Sequence, residues 1–188
     1  MLGSVPFGLL LTRLAGLGDI RKIGSHSIGA TNVLRTGRKD LAFATLLGDS
    51  LKAGLAVFLF TSLFSRNFGL IAGACAFLGH CYPIWLGFKG GKGIATYTGL
   101  LLFASWPGFL VGAPVWLGLF ALTRISSLSA LTAAICVPVG AFLLGETTFA
   151  VAILAGLSCL VFWTHRANIG RLLSGTEPRF GAPKEPKT

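Results

Sequence analysis

The stretch from Phe103 to Thr123, FASWPGFLVGAPVWLGLFALT, and the stretch from Ile125 to Gly145, ISSLSALTAAICVPVGAFLLG, carry no charge and are separated by Arg124 alone. Each matches the ~20 apolar residues that a helix needs to cross the hydrocarbon of a bilayer. Working outward, Thr147 to Thr164 is uncharged too, as are Leu41 to Leu47 and Leu55 to Ser65. The 188 residues are 53% hydrophobic and only 12% charged, which leaves too little polar surface to cover a soluble core. The expected fold is therefore all-α, a polytopic transmembrane helical bundle. Residues 1–180 are expected to form a single integral-membrane domain, with 181–188 as a disordered cytoplasmic tail.

Seven helices are expected, over about 1–18, 41–64, 68–85, 94–104, 107–122, 128–144 and 147–164. The fourth is short for a crossing, but Ser105, Trp106 and Pro107 break the pattern after it, and Pro is comfortable in a helix's first turn. No basic residue precedes the apolar N-terminal stretch, so it reads as a first membrane helix rather than a cleaved signal.

The net charge of +10 could point to nucleic acid. The spacing of the charges gives another cause. Thirteen of the sixteen Lys and Arg fall in 19–40, 86–93, 123–129 and 164–188, while the alternate gaps hold only Arg66. That is the positive-inside pattern. Seven crossings then put the N-terminus outside and the C-terminus in the cytoplasm, with the basic loops on the cytoplasmic side. No nucleic-acid partner is expected. The four cysteines show neither CxxC nor Cys/His ligand spacing, so buried thiols and no metal site are expected.

Chemistry concentrates on the basic side. Gly87-Phe88-Lys89-Gly90-Gly91-Lys92-Gly93-Ile94-Ala95-Thr96 joins glycines and two lysines to a helix start. It reads as a phosphate cradle, because backbone N–H groups, a helix N-terminus and an ammonium can converge on an anion. It is not a Walker A loop, since Gly93 rather than Ser or Thr follows Lys92. A flexible turn obeying the positive-inside rule has the same composition. Between Gly24 and Arg35, Ser25 and Asn32 offer hydrogen bonds, and Arg35 offers a bidentate grip on phosphate or a contact with lipid headgroups.

His165 and Asn168, three apart at the end of the last helix, can face a common ligand, or His165 can simply complement the helix dipole. His80 carries the same ambiguity. Asp49 and Lys52, spaced i,i+3 in an apolar helix, can neutralise one another or orient the site. No paired carboxylates and no His followed five positions on by Asp are present. Such a donor-rich, base-poor site suits a substrate already activated by a phosphate leaving group. A transporter of a phosphorylated metabolite is the competing reading, although its polar groups should then appear on both faces.

Gly3-Ser4 through Gly8, Gly24-Ser25 with Gly29-Ala30-Thr31-Asn32 and Arg35, Gly79-His80 and Pro83 with Phe88 to Gly93 and Ala95-Thr96, and His165-Arg166, Asn168, Arg171-Leu172, Gly175 and Glu177 together resemble the PlsY family. These are the membrane-integral acyl-phosphate:glycerol-3-phosphate acyltransferases of bacteria. The chain departs from the family pattern at His26 and Ser27, where Gly and Asn are common, and at Ala167, where an acidic residue is frequent. The resemblance implies a seven-helix acyltransferase of the inner membrane in phospholipid biosynthesis. Its active site would face the cytoplasm and use neither metal nor other cofactor. Glycerol 3-phosphate and acyl-phosphate would be its substrates, with membrane lipids around it and room for a hand-over from an acyl-phosphate-making enzyme.

Carried over by position, Ser25, Asn32, Arg35, Lys92, His165 and Asn168 form the expected catalytic set, in which Arg35 and Lys92 hold phosphates. Lys89, Gly90, Gly91, Gly93, Thr96, His80 and Ser127 are the expected substrate contacts. Asp49, Lys52 and Glu177 support them. The proton is expected to leave through the acceptor's own phosphate, with His165 as the rival base.

Overall fold

A computed structural model describes residues 1–181, and the tail expected to be disordered lies, apart from Gly181, outside the described residues. The described chain is helical, with α1 (Phe7–Leu14), α2 (Ala30–Leu34), α3 (Lys39–Leu63), α4 (Arg66–Cys81), α5 (Ile94–Ala104), α6 (Trp106–Thr123), α7 (Ser126–Leu143), α8 (Thr148–Thr164) and α9 (Arg166–Leu173). Among these residues four helical stretches are long and apolar enough to cross a membrane: Lys39–Leu63, Arg66–Leu86, Trp106–Thr123 and Ser126–Leu143. A fifth is added if α8 and α9, bent by 62°, count as one span.

Each of the seven expected segments contains a helix, and the first differs most. Helix α1 has eight residues, about 12 Å at the helical rise, and is preceded by a 3-10 turn at Leu2–Ser4. Pro6 explains the break, since it biases the residue before it away from helix, and Val5 is extended. Gly16 and Gly18, both at φ +73°, prevent its continuation past Leu14. Helices α2 and α9 were not expected. Both lie at the basic end of the bundle, where they help to build the site.

The break between α5 and α6 follows the sequence closely. Ser105 Oγ accepts the Gly108 N–H at 3.2 Å as an N-cap, while Pro107 sits in the first turn. Ser105 also donates to Glu146 at 2.7 Å, and Arg66 binds both Glu146 and the Ala104 carbonyl. One acid thus clasps three connections at the end of the bundle opposite the basic loops.

The interior is packed by Leu70, Phe77, Tyr97, Leu100, Leu154 and Val161, drawn from α4, α5 and α8. A smaller cluster of Leu9, Ile20, Ile28, Val33 and Ala42 ties α1 and α2 to α3. Helices approach closely where a side chain is missing. A Cβ on Gly99 would overlap the Ser50 backbone of α3, and Ser50 Oγ donates to the Ala95 carbonyl at 2.9 Å. Large apolar side chains such as Phe58, Leu110 and Phe142 instead face outward, which costs nothing when the surrounding solvent is lipid.

Candidate functional site

The loop after α4 is anchored by its glycines. Gly90 N–H donates to the Cys81 carbonyl at 3.0 Å and Gly91 N–H to the His80 carbonyl at 3.1 Å, so both satisfy carbonyls at the C-terminus of α4. A Cβ on Gly90 would strike the His80 carbonyl, and one on Gly91 would strike the His80 ring. These N–H groups are spent on the protein, which moves the donors of the expected cradle along the chain. Gly93, left-handed at φ +86°, caps α5, and the unpaired first-turn N–H groups of that helix begin at Ile94.

Lys92, Gly93, Ile94 and Ala95 line a cavity of about 550 Å³. Ser25, Asn32, Arg35, Asp49, His80, Ser127, His165, Asn168 and Glu177 also line it. The structure therefore brings most of the expected residues together. Lys89, Gly90 and Gly91 line an adjoining hollow of about 590 Å³ that shares Lys92 and Ser25 with the first. Thr96 is fully buried, its hydroxyl lacks a partner among the described residues, and it lines neither space. Lys52, 1% exposed, also lines neither.

The side chains divide into those already committed and those left open. Asn32 is committed. Its amide nitrogen donates to the carbonyls of Ile20, Ile23 and Ser27, and its oxygen accepts the Ser25 N–H at 2.9 Å, so it shapes the loop that presents Ser25. Glu177 is a hub, accepting from Ser127 Oγ at 2.7 Å, Asn168 Nδ2 at 2.6 Å and Arg171 Nε at 2.7 Å. Burial disfavours its charge, but those three hydrogen bonds outweigh burial and hold its carboxyl below the ordinary range. Asn168 Oδ1 stays buried with no partner among the described residues, an acceptor awaiting a hydroxyl or N–H.

No described residue hydrogen-bonds the Lys92 ammonium or the Arg35 guanidinium, although both line the cavity. Burial depresses Lys92 to about 8; Glu177 pulls it back up, and Arg171 and Arg35 push it down. Two acids line the cavity, but Asp49 is paired with Lys52 and Glu177 with Arg171, which leaves Arg35, Lys39 and Lys92 on its wall, so the pocket favours an added anion. His165 is 3% exposed, and burial, with Lys92 second, lowers it to about 4 against the Val161 carbonyl and Glu177. It is neutral at pH 7. Since a carbonyl can only accept, the 2.8 Å contact with Val161 O puts the ring proton on Nδ1 and leaves Nε2 as a bare acceptor.

Among the described residues no cluster of His, Cys, Asp and Glu is arranged to hold a metal ion. Beyond the polar groups the cavity continues as an apolar groove past Leu101, Phe109, Trp116, Phe120, Ala134 and Val137. It reaches Phe43 and Leu117, which are 60% and 61% exposed on the lipid-facing surface. Sequence reasoning missed this groove. Its one signal was the run of small residues at helical spacing, Gly112 and Ala113 on α6 and Ala130, Ala133 and Ala134 on α7, which leaves a hollow between two otherwise bulky helices.

A family model described as glycerol-3-phosphate acyltransferase matches residues 1–175. The chain is 70% identical to the glycerol-3-phosphate acyltransferase of Hyphomonas neptunium, over 97% of this chain and 89% of that protein. It is 57% identical to the protein of the same name from Maricaulis maris, over 98% and 85%. The crystal structure of PlsY (YgiH), an integral membrane glycerol 3-phosphate acyltransferase, in its glycerol 3-phosphate form superposes with a TM-score of 0.90 at 36% identity, covering 96% of this chain and 90% of that one. The lysophosphatidic acid form gives 0.88 at 35% identity with the same coverage.

Proposed function

The chain belongs to the glycerol-3-phosphate acyltransferase family, and on that premise we propose that it moves a fatty acyl group from an acyl-phosphate to the 1-hydroxyl of glycerol 3-phosphate. The products are lysophosphatidic acid and inorganic phosphate. The observation that carries this reading is the union of a cation-rich head, Arg35 and Lys92 beside His165 and Asn168, with an apolar groove that reaches the lipid-facing surface. Such a site fits a donor with an anionic head and a long tail, and a small water-soluble acceptor.

The acceptor oxygen attacks the acyl carbonyl carbon, a tetrahedral intermediate forms, and the bond from that carbon to the phosphate oxygen breaks. Lys92 and the first turn of α5 stabilise the departing phosphate. Arg35 grips the acceptor's phosphate bidentately, and Asn168 Oδ1 accepts from a substrate hydroxyl. His165 Nε2 receives the attacking hydroxyl as a hydrogen-bond acceptor. As a base it is weak, at about 4, whereas a phosphate monoester dianion has a conjugate acid near ~6. The acceptor's phosphate is therefore the better proton sink, and His165 orients.

The membrane is the bacterial inner membrane, crossed seven times, with the N-terminus outside and the C-terminus and the site at the cytoplasmic face. The placement of the basic loops supports that orientation. An acyl-phosphate-making enzyme must supply the donor. Purified protein given palmitoyl-phosphate or palmitoyl-coenzyme A with labelled glycerol 3-phosphate tests the reaction. Lysophosphatidate is expected from palmitoyl-phosphate alone, and product from the thioester alone would overturn the assigned donor.

A further inference from the structure

Lys52 is fully buried, and its ammonium has three N–H donors to satisfy. Three acceptors surround it: Asp49 Oδ1 at 2.7 Å, His80 Nδ1 at 2.8 Å and the Val5 carbonyl at 2.9 Å. The match leaves one assignment for His80. Its Nδ1 takes a hydrogen bond from Lys52, so the ring proton resides on Nε2. Asp49 lies 3.4 Å from the same Nδ1, beyond the usual range for an N–H···O bond, and acts as counter-charge to Lys52.

The other edge of the ring meets the glycine loop. A Cβ on Gly91 would collide with His80 Nε2, so this N–H sits against the residue before Lys92, and His80 lines the same cavity as Lys92 and Gly93. No described residue accepts a hydrogen bond from it. An N–H on a ring only 3% exposed, left without a protein acceptor at the wall of an anion site, is a donor held ready for a ligand.

We propose that His80 Nε2–H donates to an oxygen of the phosphate held by Lys92 and the first turn of α5, and that Lys52 and Asp49 are positioning residues that lock the ring in that tautomer. The inference deepens the acyl-transfer reading and rests on it for the identity of the phosphate. The two buried histidines then present opposite valences to one cavity, His165 a bare acceptor and His80 a donor.

The test uses the full chain in lipid nanodiscs, with inorganic phosphate as the probe. Binding is read by calorimetry and as competitive inhibition against palmitoyl-phosphate. Gln places its amide nitrogen near Nε2, whereas Asn keeps an acceptor near Nδ1. His80→Gln should hold phosphate binding to within about fivefold, and His80→Asn should lose about tenfold or more, the scale of one charge-assisted hydrogen bond. The reverse order, equal losses or no loss would assign His80 to the Lys52–Asp49 pair or to packing, and would overturn the proposal.

A measurement on the unmutated chain guards against misfolded variants. Nitrogen-15 spectra of the three histidines, with His26→Gln to remove the exposed ring, should show His80 protonated on Nε2 and that nitrogen shifting as phosphate is added. A His80 ring carrying a proton on Nδ1, or an Nε2 signal indifferent to phosphate, would overturn it. If the histidine results hold but palmitoyl-phosphate yields no product, the acyl-transfer reading fails and the anion site stands.

Discussion

The two ends of the bundle use charge in opposite ways. At the end of the α4 N-terminus, Arg66 and Glu146 close on one another, Ser105 and the Ala104 carbonyl complete the set, and Glu146 is 4% exposed. At the other end Lys92 and Arg35 reach into a cavity with no described partner, Asn168 keeps an open acceptor, and His165 keeps an open ring nitrogen. Paired groups tie connections together. Open groups cost the folded protein something and recover it only when a ligand arrives, which is why the second end reads as the site.

The difference between the two ends depends most on Lys92. Lys92→Ala should lower kcat/KM about 10²–10³-fold, the scale of a lost preorganised donor, with the unfolding temperature unchanged or raised because a buried ammonium is removed. Arg35→Ala should cost about 10²-fold, mostly as a higher KM for glycerol 3-phosphate, and Arg35→Lys should restore only part of it because the bidentate fork is lost. Steady-state kinetics with each substrate varied in turn separates the two cations.

The pH profile sharpens the same contrast. Lys92 titrates at about 8 in the folded protein against 10.5 for a free lysine, so its ammonium is complete below about 8 and disappears as pH rises through that value. Activity should fall above about pH 8, by roughly tenfold per further unit. The contribution to stability runs the other way. The cost of the buried ammonium is fully present below about 8 and is relieved as pH climbs towards 10.5. Lys92→Arg should abolish the alkaline limb of the rate profile, and a limb that persists would assign it to another group.

Glu177→Gln is expected to cost about tenfold, because the amide keeps the shape but weakens the hold on Ser127, Asn168 and Arg171. It should also move the alkaline limb to lower pH, since Glu177 supports the Lys92 charge. The smallest functional effect belongs to the opposite end. Arg66→Ala should leave turnover per folded molecule within about twofold while lowering stability by about 1–2 kcal/mol, through a half-exposed pair whose acid is buried. Loss of turnover without loss of stability would end the division between the two ends.

Much of this was legible in the chain. Uncharged runs and their punctuation by Ser105, Pro107 and Arg124 marked the long helices, because lipid imposes a length and a composition that few other constraints imitate. The clustering of Arg35, Lys92, His165 and Asn168 near one end followed from helix alternation. What was not legible depended on partners distant in sequence. Gly90 and Gly91 looked like anion donors, but the carbonyls of α4 claim their N–H groups, and Asn32 turns inward to carbonyls on both sides of its own loop. The groove escaped notice because residues such as Phe109 and Leu117 look the same in composition whether they meet a substrate tail or a lipid tail.

The mouth between Phe43 and Leu117 gives the molecule two kinds of concentration to respond to. One substrate is counted per volume of water, and the other is counted per area of bilayer. Diluting vesicles in buffer should leave the acyl donor's saturation unchanged, whereas diluting the donor with inert lipid in the same vesicles should slow the enzyme, so that its rate reports the make-up of the sheet in which it is dissolved.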